Sequence, residues 1–176
     1  MKTFQEIAIQ EDFKYTGKLK PYQVLLFTAY TEFLQDYFET NITLKISFRK
    51  PKKDYFGDVD LNKLKKKNYT ITMENTPYGI LGRIGHEFTH ISQYLKGELN
   101  TSDNKKFITW KGEDYISIED YNNIKDMPTY KALPWETEAY SNQEKIPVLF
   151  KKSKSLKNIL GQNTTLDFGV ENDLWF

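Results

Sequence analysis

The stretch His86-Glu87-Phe88-Thr89-His90 contains the only two histidines of this 176-residue chain, and they are four positions apart. Residues at positions i and i+4 lie above one another on a helix, so both imidazoles can bind one ion. Zinc accepts such nitrogens, and Glu87 on the same turn can reach a water at the ion and act as general base. The alternative is two surface histidines on an ordinary helix. The spacing favours the metal site.

The flanking sequence predicts that the motif lies on an amphipathic helix. Thr76 suits the N-cap, Pro77 suits the first helical position, and Gly97 after Lys96 is a typical stop. Apolar residues recur at helical spacing along one predicted face: Ile80, Ile84, Phe88, Ile91 and Leu95. The opposite face carries the two histidines and Gln93, so the metal would lie away from the apolar face.

Two glycines, Gly79 and Gly82, share the predicted histidine face. Glycine inside a helix costs roughly 1 kcal/mol relative to alanine, so two on one face require a reason. Room for a substrate or for a closely packed second helix is one reason. Glycines that are tolerated near the start of a helix are the other.

A catalytic zinc site usually has three protein ligands, and the motif supplies two. The chain has no third histidine and no cysteine, so we expect the third ligand to be a carboxylate. Two acids stand in the segment Leu133-Pro134-Trp135-Glu136-Thr137-Glu138-Ala139-Tyr140. Pro134 suits the first turn of a helix, although Leu133 would be a poor cap.

Helical geometry separates the two acids of this segment. Glu136 shares a face with Ala139, whose small side chain would let the helix approach the histidine helix, whereas Glu138 shares a face with Ser141, Asn142 and Lys145. The second face is polar and indicates solvent. We therefore favour Glu136 over Glu138 as the ligand, with two surface acids on a charged helix as the alternative.

Three separated motifs occur in an order that resembles a known family. They are HEFTH with the following Ile-Ser-Gln-Tyr-Leu-Lys-Gly-Glu-Leu, then Trp110-Lys111-Gly112, then the Pro-Trp-Glu-Thr-Glu-Ala-Tyr segment at 134–140. The chain resembles small zinc metallopeptidases of bacteriophages and bacteria. More broadly it is similar to minimal gluzincins, in which the glutamate of a Glu-x-x-Ala motif completes the site. The resemblance covers about residues 68–143 and implies a zincin-like fold.

The resemblance implies a role for individual residues. His86, His90 and Glu136 would bind Zn²⁺, and Glu87 would be the general base. Many gluzincins have an acid four residues after the ligand glutamate, and this chain has Tyr140 there. Tyr140 is therefore a candidate catalytic residue that donates a hydrogen bond to the oxyanion of the reaction. A packing tyrosine is the equal alternative.

Pattern and order predict an α+β domain over residues 1–150, with a small, mostly antiparallel sheet packed on the active-site helix and on a second ligand-bearing helix. The predicted elements before the motif are a helix at 21–39, a strand at 41–48, a turn and short strand at 54–60, and a strand at 69–75. At the sheet edge the strand at 69–75 could bind an extended peptide, whereas an interior strand would have no such role.

Two further segments have open interpretations. The basic runs at 49–53 and 63–67 can bind phosphates, yet no nucleic-acid motif accompanies them, so a solvated loop is favoured. Residues 151–176 form a C-terminal tail that ends in Leu174-Trp175-Phe176. Two terminal aromatic rings are unusual in water, so we expect the tail to dock on the domain or on a protein partner.

Composition indicates a folded protein and excludes several classes. Hydrophobic residues make up 39% and aromatic residues 15% of the chain, which argues against general disorder. The net charge of +1 gives no general attraction to nucleic acid or membrane, and the absence of cysteine excludes disulfides and thiolate metal sites. The sequence has no signal peptide or long apolar segment, so we expect a cytoplasmic protein, with association with a virion as an alternative.

The sequence therefore predicts a zinc metalloendopeptidase that acts on a protein or peptide substrate. It contains no cysteine nucleophile, G-x-S-x-G, P-loop or G-x-G-x-x-G motif that would indicate other chemistry. The alternative is a phage virion or host-interaction component on a zincin scaffold, with a structural metal or lost activity. Glu87 favours the enzyme, because a purely structural site needs ligands and no base.

Overall fold

The computed structural model describes residues 13–16, 21–49, 57–59, 68–74 and 79–162. Its strands are β1 (Phe13–Thr16), β2 (Thr43–Arg49), β3 (Gly57–Val59), β4 (Asn68–Glu74), β5 (Leu99–Thr101), β6 (Phe107–Trp110) and β7 (Glu113–Ser117). Its helices are α1 (Pro21–Phe38), α2 (Ile80–Leu95), α3 (Ile118–Asn123), α4 (Met127–Lys131), α5 (Pro134–Lys151) and α6 (Lys154–Gln162). The mixture of helices and small sheets agrees with the predicted α+β class.

A four-stranded sheet has the order β1-β2-β4-β3. β1 pairs with β2, and β2 with β4, in parallel, whereas β3 is antiparallel to β4. The prediction of a mostly antiparallel sheet is therefore wrong here, because helix α1 connects β1 to β2 and returns the chain to the same direction. β4 has a partner on each side, so its predicted alternative as a peptide-binding edge strand is also wrong.

A second sheet is antiparallel and has the order β5-β6-β7. It begins just after the histidine helix α2, because Gly97 (φ +71°) ends that helix and turns the chain. Leu99, Leu133 and Trp135 are buried beside this sheet and form the smaller hydrophobic cluster of the described chain. Partly buried residues surround the three: Ile108, Trp110, Ile116, Tyr121, Ile124 and Tyr130.

The larger hydrophobic cluster lies between the four-stranded sheet and helices α1, α2, α5 and α6. The alternating residues of β2 contribute Leu44 and Ile46, as the period of two predicts. Helix α2 contributes four residues of its predicted apolar face: Ile80, Ile84, Phe88 and Ile91. Leu95, the fifth, is 41% exposed, so the buried part of this face ends at Ile91. The helix extends one turn beyond the core there.

The start of helix α2 also differs from the prediction. Its first residue is Ile80 and its N-cap is Gly79, which has a left-handed φ of +62° that glycine adopts at little cost. The prediction of Thr76 as the N-cap is therefore wrong. Residues 75–78 themselves lie outside the described residues. The glycine at position 79 is therefore explained by the left-handed backbone at the helix start and not by the histidine face.

The predicted C-terminal tail begins with structure that packs on the rest of the chain. Helix α6 contacts α1, and its Leu156 is buried in the larger cluster. Residues 163–176, which include Leu174-Trp175-Phe176, lie outside the described residues, as do both basic runs except for Arg49 at the end of β2. Within the described ranges, no helix has the length and apolar character needed to cross a membrane.

Candidate metal centre

Helices α2 and α5 approach each other closely at Gly82. A Cβ atom at Gly82 would lie 2.7 Å from the backbone oxygen of Gln143 on α5, which is too close for any side chain. The predicted reason for this glycine, a closely packed second helix, is confirmed. Gly85 repeats the arrangement one turn later, where a Cβ would lie 2.8 Å from the hydroxyl of Tyr30. Gly82 thus brings the histidine helix against α5, and Gly85 brings it against α1.

Glu136 stands in the first turn of α5, which begins at Pro134 as the sequence predicts. Leu133 occupies the N-cap and makes no side-chain cap bond; its side chain is buried in the smaller cluster. The unpaired N–H groups and the dipole of a helix start favour a negative charge nearby. Leu133 is therefore a poor cap in hydrogen-bonding terms, but its buried side chain packs the start of the helix. Glu136 lies in the first turn of that helix.

His86, His90 and Glu136 form a compact buried group. The two histidine Nε2 atoms are 3.2 Å apart. Glu136 Oε2 is 3.4 Å from Nε2 of His86, and its Oε1 is 3.4 Å from Nε2 of His90. Zinc with ligands at about 2.0–2.1 Å in tetrahedral geometry requires ligand atoms about 3.3–3.4 Å apart. The three side chains therefore fit the geometry of a small metal ion.

Unsatisfied polar atoms at this group support the same conclusion. Glu136 Oε2 is buried and accepts no well-formed hydrogen bond from the described residues, although a buried carboxylate oxygen normally has a donor. It lies near the Nε2 atom of His86. Two imidazoles and one carboxylate are ligands that zinc accepts. Oε2 of Glu136, which has no hydrogen-bond donor among the described residues, can therefore serve as a ligand of a metal ion.

The charges at the centre are set by opposing effects. Burial, the largest influence on Glu136, would raise its pKa, but polar contacts with His86, His90 and Tyr130 and the charge of His90 outweigh it and lower the pKa to about 2. Burial would likewise lower the pKa of His90, but the contact with Glu136 and its charge, with smaller contributions from Glu87 and Gln93, raise it. Glu136 is therefore an anion at neutral pH, as metal binding requires.

Tyr130 on the short helix α4 is a site residue that the sequence did not predict. Its hydroxyl donates a hydrogen bond of 2.7 Å to Oε1 of Glu136. Burial and the negative charge of Glu136 raise the pKa of Tyr130 well above its usual value, so the phenol stays protonated and remains a donor. The bond leaves Oε2 as the carboxylate oxygen without a donor. No sequence pattern marks this contact, because it depends on the turn between α4 and α5.

Glu138, the other acid of the segment, lies on the exposed side of α5 and makes a different contact. Its Oε2 accepts a hydrogen bond of 3.1 Å from Nε2 of Gln93. The structure thus brings Glu136, and not Glu138, to the histidines. Asn142 was predicted to face solvent with Glu138, and this prediction is wrong. It is buried and donates to Oγ1 of Thr89 at 3.2 Å, because helix α2 covers that side of α5.

The two predicted catalytic residues lie next to the centre. Glu87 is half-buried on α2, and its negative charge helps to raise the pKa of both His90 and Tyr140. The Tyr140 ring packs against the His86 ring with centroids 4.6 Å apart. Its hydroxyl lies 3.9 Å from Sδ of Met127 at the surface. Tyr140 therefore forms one wall beside His86, and Tyr130 is the tyrosine whose hydroxyl contacts Glu136.

Comparisons of the chain with models of protein families, with curated proteins and with solved structures find no match. The chemistry of the centre therefore has to be argued from its own residues. These are two imidazoles and an anionic carboxylate that can hold a metal ion, with a second carboxylate one residue after the first histidine.

Proposed function

We propose that the protein is a zinc metalloendopeptidase of the gluzincin type that hydrolyses a protein or peptide substrate. The observation that carries this proposal is the buried triangle of His86, His90 and Glu136, whose ligand atoms are 3.2–3.4 Å apart. Three protein ligands leave the fourth position of a tetrahedral ion for water or substrate, which is the arrangement of catalytic zinc sites. The substrate that the site would bind is a peptide segment that contains the scissile bond.

When bound, zinc would polarise the scissile carbonyl and lower the pKa of the attacking water toward about 7. Glu87 is next to His86 in sequence, and its negative charge helps to raise the pKa of His90. We assign to Glu87 the transfer of a proton from the attacking water to the leaving amine. The ionised Glu136 serves as a ligand and is held by Tyr130, which keeps its proton.

Glu87 also separates the proposal from its alternative, a virion or host-interaction component with a structural metal. A structural site needs the three ligands and has no use for a base one residue after His86. The half-buried position of Glu87 on α2 and the contribution of its charge to the raised pKa of His90 and of Tyr140 support the enzyme.

The test is to substitute Glu87→Gln and to measure zinc content and hydrolysis of an unfolded protein substrate such as reduced, alkylated casein. We expect the variant to keep stoichiometric zinc and its fold but to lose nearly all hydrolysis, because an amide cannot accept the proton. Glu144→Gln, on the exposed side of α5, is the matched control and should keep full activity. Equal hydrolysis by Glu87→Gln and the native protein would exclude the general-base role.

A further inference from the structure

Gln93 is a buried amide that connects the two helices of the metal centre. Its Oε1 lies 3.0 Å from Nδ1 of His90. Its Nε2 donates to the backbone oxygen of Trp135 at 3.0 Å and to Oε2 of Glu138 at 3.1 Å. One side chain on α2 therefore contacts a metal ligand of its own helix and two acceptors at the start of α5.

These contacts fix the orientation of the amide. A glutamine amide has one acceptor oxygen and one NH₂ group with two hydrogens to donate. The backbone oxygen of Trp135 and the carboxylate oxygen of Glu138 are acceptors, so together they use both hydrogens. A flipped amide would place Oε1 against these two acceptors and lose both bonds. Oε1 must consequently face His90.

The orientation of the amide determines which nitrogen of His90 carries the proton. An oxygen acceptor at 3.0 Å from Nδ1 requires an N–H at that atom, so the neutral ring keeps its lone pair on Nε2. Nε2 is the atom that faces Nε2 of His86 and Oε1 of Glu136. We propose that Gln93 is the positioning residue of the metal centre and that Glu138, through Gln93, holds His90 in the Nδ1–H form. This inference rests on the metal site of the proposed function.

The proposal gives Glu138 a role that differs from direct metal binding. Its carboxylate is exposed, yet it accepts one of the two hydrogens of Gln93 and so opposes a flip of the amide. His86 has no comparable support, since its Nδ1 is buried and has no hydrogen-bond partner in the described part of the chain. The two histidines of the motif are therefore held in different ways, and only His90 is oriented by a side-chain amide.

The first experiment reads the tautomer without metal or substrate. The chain has two histidines, so long-range proton–nitrogen NMR spectra of protein labelled with nitrogen-15 histidine contain two rings. At a pH where both rings are neutral, we expect His90 in the Nδ1–H form in the native protein. In Gln93→Met, which removes the acceptor at nearly constant volume, we expect the signals to shift toward a mixture of tautomers. A native His90 in the Nε2–H form would overturn the proposal.

The second experiment measures zinc affinity with a chromophoric chelator as competitor. Loss of a partner that orients a metal-binding histidine typically weakens metal affinity about 10–100-fold, and we expect this loss in Gln93→Met. Asn142→Leu is the matched control, because Asn142 also joins α2 to α5 through a buried amide but contacts Thr89 and no histidine. We expect this variant to lose stability and to keep its zinc affinity. Equal losses of affinity in both variants would show that Gln93 only joins the helices.

The conservative variant of Glu138 provides the rescue test. Glu138→Met removes one of the two acceptors of the Gln93 amide, whereas Glu138→Gln keeps an amide oxygen that can accept the same hydrogen. We expect Glu138→Met to lose part of the zinc affinity and Glu138→Gln to keep it, and equal affinities in the two variants would count against the proposal. If the native protein binds no zinc, the proposed function fails, whereas the tautomer of His90 still decides whether Gln93 orients this ring.

Discussion

The two hydrophobic clusters of the described chain differ in size and hold different parts of the metal centre. The larger cluster contains nineteen buried residues, among them Phe88 between the two histidines. The smaller cluster contains three, among them Trp135, which directly precedes Glu136. The two histidines therefore lie on one face of helix α2, and the apolar face of the same helix packs in the larger cluster. The Glu136 carboxylate lies at the start of helix α5, which packs in the smaller cluster through Trp135.

This difference shows that the centre depends on both clusters in unequal ways. Helix α5 belongs to both, since Trp135 near its start lies in the smaller cluster and Phe150 near its end lies in the larger one. Tyr130, which donates to Glu136, packs at the edge of the smaller cluster. We infer that the larger cluster determines whether the chain folds, while the smaller one determines where the carboxylate lies relative to the histidines.

We expect the largest effect on zinc binding from removal of a proposed ligand, either on the side of the larger cluster or on the side of the smaller one. His90→Ala on the side of the large cluster and Glu136→Ala on the side of the small one should each weaken zinc binding by more than about 100-fold, since loss of a mere outer partner costs about 10–100-fold. Glu138→Ala should have a smaller effect than either. Competition with a chelator measures all three. Loss of zinc in Glu138→Ala together with full zinc binding in Glu136→Ala would reverse the assignment of the ligand.

A second pair of substitutions compares the clusters within one helix. Trp135→Ala and Phe150→Ala each remove a buried aromatic side chain, and each should lower the free energy of unfolding by about 3–5 kcal/mol. Only Trp135→Ala should also weaken zinc binding in the fraction that stays folded, because Glu136 then loses its neighbouring support. Thermal unfolding and zinc titration below the melting temperature separate the effects. Equal zinc affinity in the two variants would contradict the division of roles.

The smallest effect is expected from removal of one hydroxyl in the smaller cluster. Tyr130→Phe deletes the donor to Oε1 of Glu136 and should lower zinc affinity about tenfold, in the range for an outer partner of a ligand. Stability should fall by about 1 kcal/mol, as for a typical hydrogen bond. Tyr115→Phe is the control, because Tyr115 packs on Trp135 beside the same cluster and is 52% exposed. We expect no change in zinc affinity for this control.

The parts of the structure that the sequence predicts are those with local causes. The alternation of Ile42, Leu44 and Ile46 predicts strand β2, and the spacing of the apolar residues predicts helix α2. The same helical geometry separates Glu136 from Glu138, because Ala139 marks the face that can approach a second helix. The sequence also predicts His86, His90 and Glu136 as site residues, because each is identified by its position on a helix and by the ligand types that a metal ion accepts.

The parts that the sequence does not predict depend on contacts between distant segments. The parallel pairing of β2 with β4 joins strands that are separated in the chain, and the pattern within each strand is the same for either direction. Helical spacing alone assigns Asn142 to a polar face, because its partner Thr89 lies on a different helix. Tyr130 reaches Glu136 through a turn whose geometry has no sequence motif.

The close contact at Gly82 has a consequence for the size of the ion that the centre accepts. The missing side chain lets α5 lie against α2 and so permits the 3.2–3.4 Å triangle of ligand atoms. Calcium binds its ligands at about 2.3–2.6 Å, and such an ion needs ligand atoms that lie farther apart. A side chain at position 82 would push the helices apart and widen the triangle. The absence of one methyl group thus favours an ion of small ionic radius.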